Sequence, residues 1–132
     1  MIKVVLDTNV IISSVFWTGA PYAVVEKGLL GKYELITSPD ILDEIVNKLR
    51  NKFKFPEENI QQLIDLLLRF SHVIEPISKI DIVRDKTDNK IIECAIDSNA
   101  NYIITGDLDL LELKEFEKIK IVNARTFLDL IN

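Results

Sequence analysis

The stretch VVLDTNV, Val4 to Val10, governs how the rest of the chain is read. Its first three residues are branched and apolar, as in a strand buried on both faces. The run then breaks on a carboxylate, a hydroxyl and an amide (Asp7, Thr8 and Asn9) before a second apolar run from Val10 to Val15. Asp, Thr and Asn all cap helices, so strand, cap and helix is one sufficient explanation. The other is that Asp7 stands at the mouth of a site.

The same alternation continues down the chain. Strand-like runs at Ile2–Leu6, Tyr33–Thr37, Ser71–Glu75, Tyr102–Thr105 and Lys120–Val122 are separated by helical patterns at Pro21–Leu30, Ser38–Lys52, Pro56–Phe70 and Asp88–Ala100. A short amphipathic segment, Leu108–Phe116, and a last one, Thr126–Ile131, complete the set. Gly31 stops the first of these helices, and Ser38-Pro39 supplies an N-cap followed by proline at the first helical position. This order predicts an α/β fold with a mostly parallel five-stranded sheet covered on both faces, and a helical hairpin before the third strand. In open parallel sheets, ligands bind beyond the carboxyl ends of the strands, where the strand order reverses. Asp7 lies at one such end. A second strand, NYIIT, runs into TGDLDLL, Thr105 to Leu111, and delivers Asp107 and Asp109 to the same edge.

Composition sets bounds on the chemistry. The 132 residues fit one domain, 1–132, with 48% hydrophobic and 28% charged residues, enough to bury a core without staples. A single Cys94 and a single His72 exclude an internal disulfide and a Cys/His zinc cluster, and argue against Ser–His or Cys–His catalysis. His72 is expected just before a buried strand. No apolar run approaches the roughly 18 residues of a membrane helix, and the N-terminus reads as a strand rather than a signal peptide; a cytoplasmic protein is expected. The net charge of −5 has the wrong sign for binding nucleic acid over a broad surface. A polyanionic substrate would require a bound metal or a local basic patch.

Two further acids stand out. In DKTDNKIIECAI, Asp85 to Ile96, either Asp85 or Thr87 can cap the helix, whereas Asp88 shares a face with Ile91, Ile92, Ala95 and Asn99. That spacing aims a carboxylate inward, which is costly unless its charge is compensated. Glu93 and Asp97 fall on the opposite side and are expected in solvent. In SPDILDEI, Ser38 to Ile45, the buried stripe is Ile41, Leu42, Ile45 and Leu49, and Asp43 and Glu44 flank it on opposite shoulders. Spacing does not separate those two.

An early LDTN, an acid in an SPDILDEI helix, a DNKIIECA helix and a late TGDLDLL, in that order from Ile2 to Leu130, resemble the PIN-domain family, closest to VapC-like toxins of toxin–antitoxin pairs. The resemblance implies a three-layer α/β/α PIN-like fold. Carried over by position, it implies an acidic quartet at Asp7, Glu44, Asp88 and Asp107, with Thr8, Asn9 and Thr105 in support. DKTD replaces a proline-containing turn common in relatives, and Asp109 is an additional candidate metal ligand beside Asp107. Clustered carboxylates repel unless a cation sits among them, and hard divalent ions prefer such oxygen ligands. The resemblance therefore implies an Mg²⁺- or Mn²⁺-dependent endoribonuclease that hydrolyses single-stranded RNA and leaves a 5′-phosphate. It also implies a homodimer and a cognate antitoxin.

For gripping RNA, RNKFKF (Arg50 to Phe55) interleaves bases with aromatics and makes Arg50 and Lys52 candidates; a helix C-terminus with its phenylalanines packed inward is the simpler reading. Arg84, Lys86 and Lys90 flank Asp88 as further phosphate contacts or plain surface charge. Phe16, Trp17 and Tyr22 are read as core, or otherwise as a dimer or antitoxin surface. The competing functions are a PIN-like domain that binds RNA or protein without catalysis, and an aspartate-based, receiver-like phosphotransfer domain. A haloacid-dehalogenase-like phosphatase would need a second acid where Asn9 stands. A receiver would want a lysine after its last core strand, and KIKIVNA offers only Lys118 and Lys120.

Overall fold

The computed structural model describes residues 1–131; Asn132 and the Thr87 side chain, including its cap reading, lie outside the described residues. Strand β1 (Lys3–Leu6) leads through α1 (Thr8–Phe16) and α2 (Ala20–Leu29) to β2 (Glu34–Thr37). Next come α3 (Pro39–Asn47), a π-helical turn over Lys48–Lys52, α4 (Glu57–Phe70) and β3 (His72–Val73). Then follow α5 (Lys86–Asp97), β4 (Tyr102–Ile104), α6 (Leu108–Leu113), β5 (Glu115–Phe116), β6 (Ile119–Val122) and α7 (Ala124–Ile131).

The strands form one sheet in the order β3-β2-β1-β4-β6-β5, parallel throughout except for the β5–β6 pair. Helices cover both faces: α1, α2 and α7 pack as a group, and α5 crosses β1, β2 and β4. This is the expected three-layer α/β/α architecture, with six strands instead of five. The additional strand comes from the segment read as amphipathic helix. Lys114 takes a left-handed φ of 61° and ends α6, and Glu117 at φ 55° turns a hairpin that pairs Phe116 with Ile119. No Gly or Asn marks that turn, so its sequence carries no hairpin signal.

The core follows from β1, where Val4, Val5 and Leu6 are buried because the strand is central and covered on both faces. Tyr33 is fully buried beneath α2 and donates its hydroxyl to the Val24 carbonyl at 2.8 Å. Gly28 makes room for it, since a Cβ there would lie 2.7 Å from the Tyr33 hydroxyl. Gly31 ends α2 at φ 78°, and Ser38 caps α3 by accepting from the Ile41 N–H at 3.3 Å. Two expectations about burial fail. The third strand is a two-residue edge with both His72 and Val73 exposed, not a buried strand. Phe16, Trp17 and Tyr22 are 36%, 65% and 42% exposed, not core. They sit where α1 gives way to α2, and a short turn there leaves the rings no opposing layer. Phe16 instead clusters with Trp17, Phe53 and Phe55. Among the described residues, no helix is long and apolar enough to cross a membrane.

Candidate functional site

The sheet order reverses between β1 and β4, and Asp7 lies at that seam. Its backbone N–H continues the β1–β4 ladder by donating to the Ile104 carbonyl at 2.9 Å. Its side chain does two jobs. Oδ1 caps α1 by accepting from the Asn9 N–H at 3.4 Å, while Oδ2 accepts from the Thr105 hydroxyl at 2.6 Å. Thr105 Oγ1 accepts in turn from the Asp107 N–H at 3.0 Å, and Asp107 Oδ1 caps α6 by accepting from Asp109 N and Leu110 N. Capping and site formation therefore coincide: one buried hydroxyl ties the acid after β1 to the acid after β4.

Asp88 enters from the first turn of α5, at 5% exposure, and its Oδ2 has no hydrogen-bond partner among the described residues. Burial first, then the charges of Asp107, Asp7, Asp85 and Glu44, push its carboxyl up from the ordinary 3.8 to about 7. Asp7 is also raised, chiefly by burial; the Thr105 and Asn9 hydrogen bonds and the Lys48 charge oppose that shift. The charges of the other three quartet acids therefore act on Asp88, and Glu44 rather than the exposed Asp43 is the α3 acid among them. Asp109 is drawn to the rim by Arg84, whose Nη2 lies 3.1 Å from Oδ2. Thr8 is buried beside Asp7, and its hydroxyl has no partner among the described residues. Asn9 Oδ1 accepts from Lys48 Nζ. Among the described residues, no three acidic, His or Cys side chains already stand close enough together to hold an ion.

These directions give a stability prediction. A carboxyl raised in the folded state leaves the native protein holding more protons than the unfolded chain between about pH 4 and 7. Stability therefore falls as pH rises through that window, and the penalty is complete above pH 7. In metal-free buffer at pH 8, Asp88→Asn should be more stable than wild type by roughly 2–4 kcal/mol. The two should converge near pH 4, with a shallower slope left in the variant because Asp7 shifts in the same direction. Urea unfolding at a series of pH values measures both; parallel curves for the two proteins would rule out the assignment.

Three acceptors on α5 correct the expectation that its far side is solvated. Glu93 is 4% exposed, and its Oε2 accepts from the Ile80 N–H at 2.9 Å. Asp97 accepts from the N–H groups of Ile77 and Ser78, at 2.6 and 2.9 Å. Asn89 Oδ1 accepts from Ile82 N and Val83 N, and its amide donates to the Val83 carbonyl. An extended strap, residues 74–85, thus runs along α5 on side chains spaced four apart, which satisfies backbone groups that have no sheet partner. Helical periodicity showed the stripe but not the strap over it. The strap delivers Arg84 and Asp85 to the pocket. Asn99 leaves the helix at φ 57° and is exposed, not part of the inward stripe.

The remaining basic candidates are mostly engaged. Arg50 pairs with Glu57 at the start of α4, and Lys90 lies 3.4 Å from Glu93 and 4.0 Å from Asp40. Lys52 lies over the Phe53 ring, 5.5 Å from its centroid. Lys86 is exposed beside Glu44 on a groove it shares with Asp40 and Lys90. One cation was not singled out by sequence reading: Lys48, four residues after Glu44, lies against Glu44 and Asn9.

Comparisons with known proteins agree with this fold. A chain in the crystal structure of VapBC2 from Rickettsia felis, bound to a DNA fragment from their promoter, shares the fold with a TM-score of 0.65 at 18% identity. The match covers 92% of this chain and 98% of that one. A chain of FitAcB from Neisseria gonorrhoeae matches over the same shares with a TM-score of 0.58, also at 18% identity. An uncharacterized protein of Methanocaldococcus jannaschii is 39% identical over 127 residues, covering 92% of this chain and 81% of that protein. The family described as PIN domain matches residues 3–109, which span β1 to the start of α6 and all four acids. The chain belongs to the PIN-domain family.

Proposed function

We propose that this PIN domain is a metal-dependent endoribonuclease that hydrolyses phosphodiester bonds of single-stranded RNA in the cytoplasm, as the toxin of a toxin–antitoxin pair. The observation behind the reading is Asp88, a buried carboxylate with one oxygen unpartnered among the described residues, under the charges of Asp107, Asp7 and Glu44. Asp7, Glu44 and Asp107, whose charges act on Asp88, form with it an all-oxygen donor set of the kind that Mg²⁺ or Mn²⁺ takes, and a cation would satisfy the Asp88 Oδ2. Asp7, Glu44, Asp88 and Asp107 would hold it, with Asp109 at the rim. When bound, such an ion supplies Lewis acidity at the phosphoryl group and lowers the pKa of a water.

The chain's own residues do the rest. Thr105 fixes Asp7 and Asp107 in register through one hydroxyl. Arg84 and Lys86, at the end of the strap and the start of α5, place positive charge beside the pocket for substrate phosphate, and Lys90, Arg50 and Lys52 extend that charge outward. In the reaction, a water oxygen adds to phosphorus and the ribose 3′-oxygen leaves with a proton, giving a 5′-phosphate.

The test is cleavage of a fluorescent single-stranded RNA by the purified chain. Mn²⁺ or Mg²⁺ should be required, and excess EDTA should stop the reaction. RNA that binds but is never cut would return the chain to the non-catalytic reading. The same proposal includes a homodimer and an antitoxin that covers the exposed Phe16, Trp17 and Tyr22 surface; the likeness to VapBC2 supports such a partner. Light scattering at tens of micromolar should give twice the chain mass. A monomer that cleaves at full rate would remove the dimer and leave the nuclease standing.

A further inference from the structure

We propose that Lys48 is a tethered counter-ion of the acidic pocket, which holds Glu44 in the metal-free protein and competes with a divalent ion for it. The inference takes the pocket as a metal site from the reading above, and adds a residue that neither the resemblance nor the sequence pattern assigns.

Lys48 Nζ lies 2.9 Å from Glu44 Oε1. An exposed pair four residues apart on a helix is ordinarily worth little. Here the same ammonium also reaches across 39 residues of sequence to donate to Asn9 Oδ1 at 3.1 Å. Its charge acts further, opposing the rise in the Asp7 pKa. One nitrogen thus serves the acid of α3, the amide beside Asp7 and the field at Asp7 itself. Two of the other nearby cations are drawn elsewhere, Arg84 to Asp109, and Lys90 to Asp40 and Glu93, while Lys86 lines the groove beside Glu44 without an ion pair among the described residues.

The backbone at this point is unusual as well. Lys48 opens the π-helical turn, with the Phe53 N–H donating to the Lys48 carbonyl at 3.1 Å. Such wide turns are rare and gather at functional sites. The turn comes directly after α3, so Lys48 is four residues beyond Glu44 and still faces the pocket. Among the described residues no three acids close on a common point, and one oxygen of Glu44 is engaged by the Lys48 ammonium. An ion that takes Glu44 as a ligand displaces the Lys48 ammonium from it, an exchange of cations.

Manganese titrated into the metal-free chain by calorimetry reads the exchange without reference to cleavage. Lys48→Met should bind Mn²⁺ about ten-fold more tightly than wild type, because a positive charge has left the ion's neighbourhood. The rise in Tm on adding Mn²⁺ should grow accordingly. Lys48→Arg, which keeps the charge, should stay within about three-fold of wild type by the same criterion. If Lys48→Met does not fold, Lys48→Gln carries the same expectation. A neutral variant that binds Mn²⁺ no more tightly than wild type overturns the proposal and leaves the nuclease reading intact. If neither wild type nor variant binds Mn²⁺, both fail together.

Discussion

Asp7→Asn should lower metal-dependent cleavage of single-stranded RNA by roughly 10²- to 10⁴-fold while the protein stays folded. The change removes one charge and keeps the shape. Asn can still cap α1 through its carbonyl oxygen, and the Thr105 hydroxyl, which already accepts from the Asp107 N–H, has a second lone pair for the new amide. Burial raises the Asp7 carboxyl in the wild type, so its loss also removes a charge that the fold holds at a cost. Metal-free stability should be unchanged or higher. The paired readings, activity down and melting temperature not down, distinguish a site residue from a structural one. Full activity in the variant would place the chemistry elsewhere or expose a contaminating nuclease.

The largest effect on stability should come from Phe127→Ala, at about 3–5 kcal/mol. Phe127 is fully buried on α7 and meets Tyr33 and Tyr102 edge-on, with ring centroids 5.3 and 5.4 Å away. Such aromatic pairs contribute beyond the area they bury, and removing the shared ring leaves a cavity between two others, Tyr102 on β4 and Tyr33 just before β2. Tyr33 cannot swing into it without giving up its hydrogen bond to Val24. Denaturant unfolding gives the number. A loss below about 1 kcal/mol would mean that α7 is not part of the cooperative core.

The alternation of strands and helices, the mostly parallel sheet and the caps at Ser38 and Gly31 were legible because each depends on local periodicity and on backbone preferences of single residues. Asp88 was legible for the same reason: its offsets to Ile91, Ile92 and Ala95 placed it on the buried face, and it is buried. Asp7 and Asp107 could be placed at strand ends, but the hydroxyl that joins them, on Thr105, lies 98 residues from Asp7, and only the β1–β4 pairing brings the two together.

Where local rules failed, a neighbour distant in sequence decided the outcome. Glu93 and Asp97 lie opposite the apolar stripe, and periodicity sends such residues to water; the strap over α5 made them acceptors for its own backbone. The hairpin of β5 and β6 formed without turn residues because β6, already paired to β4, offered an open edge. Phe16 and Trp17 stayed outside because no layer covers them. Spacing left Asp43 and Glu44 even; in the fold, Glu44 pairs with Lys48 and its charge acts on Asp88, while Asp43 is exposed to solvent. By itself, the sequence determined which residues must be buried and where chain direction changes, since both follow from side-chain chemistry within a turn or two. Only the tertiary structure decided which charges meet, because Coulomb interactions and hydrogen bonds act between positions that the chain brings together after folding.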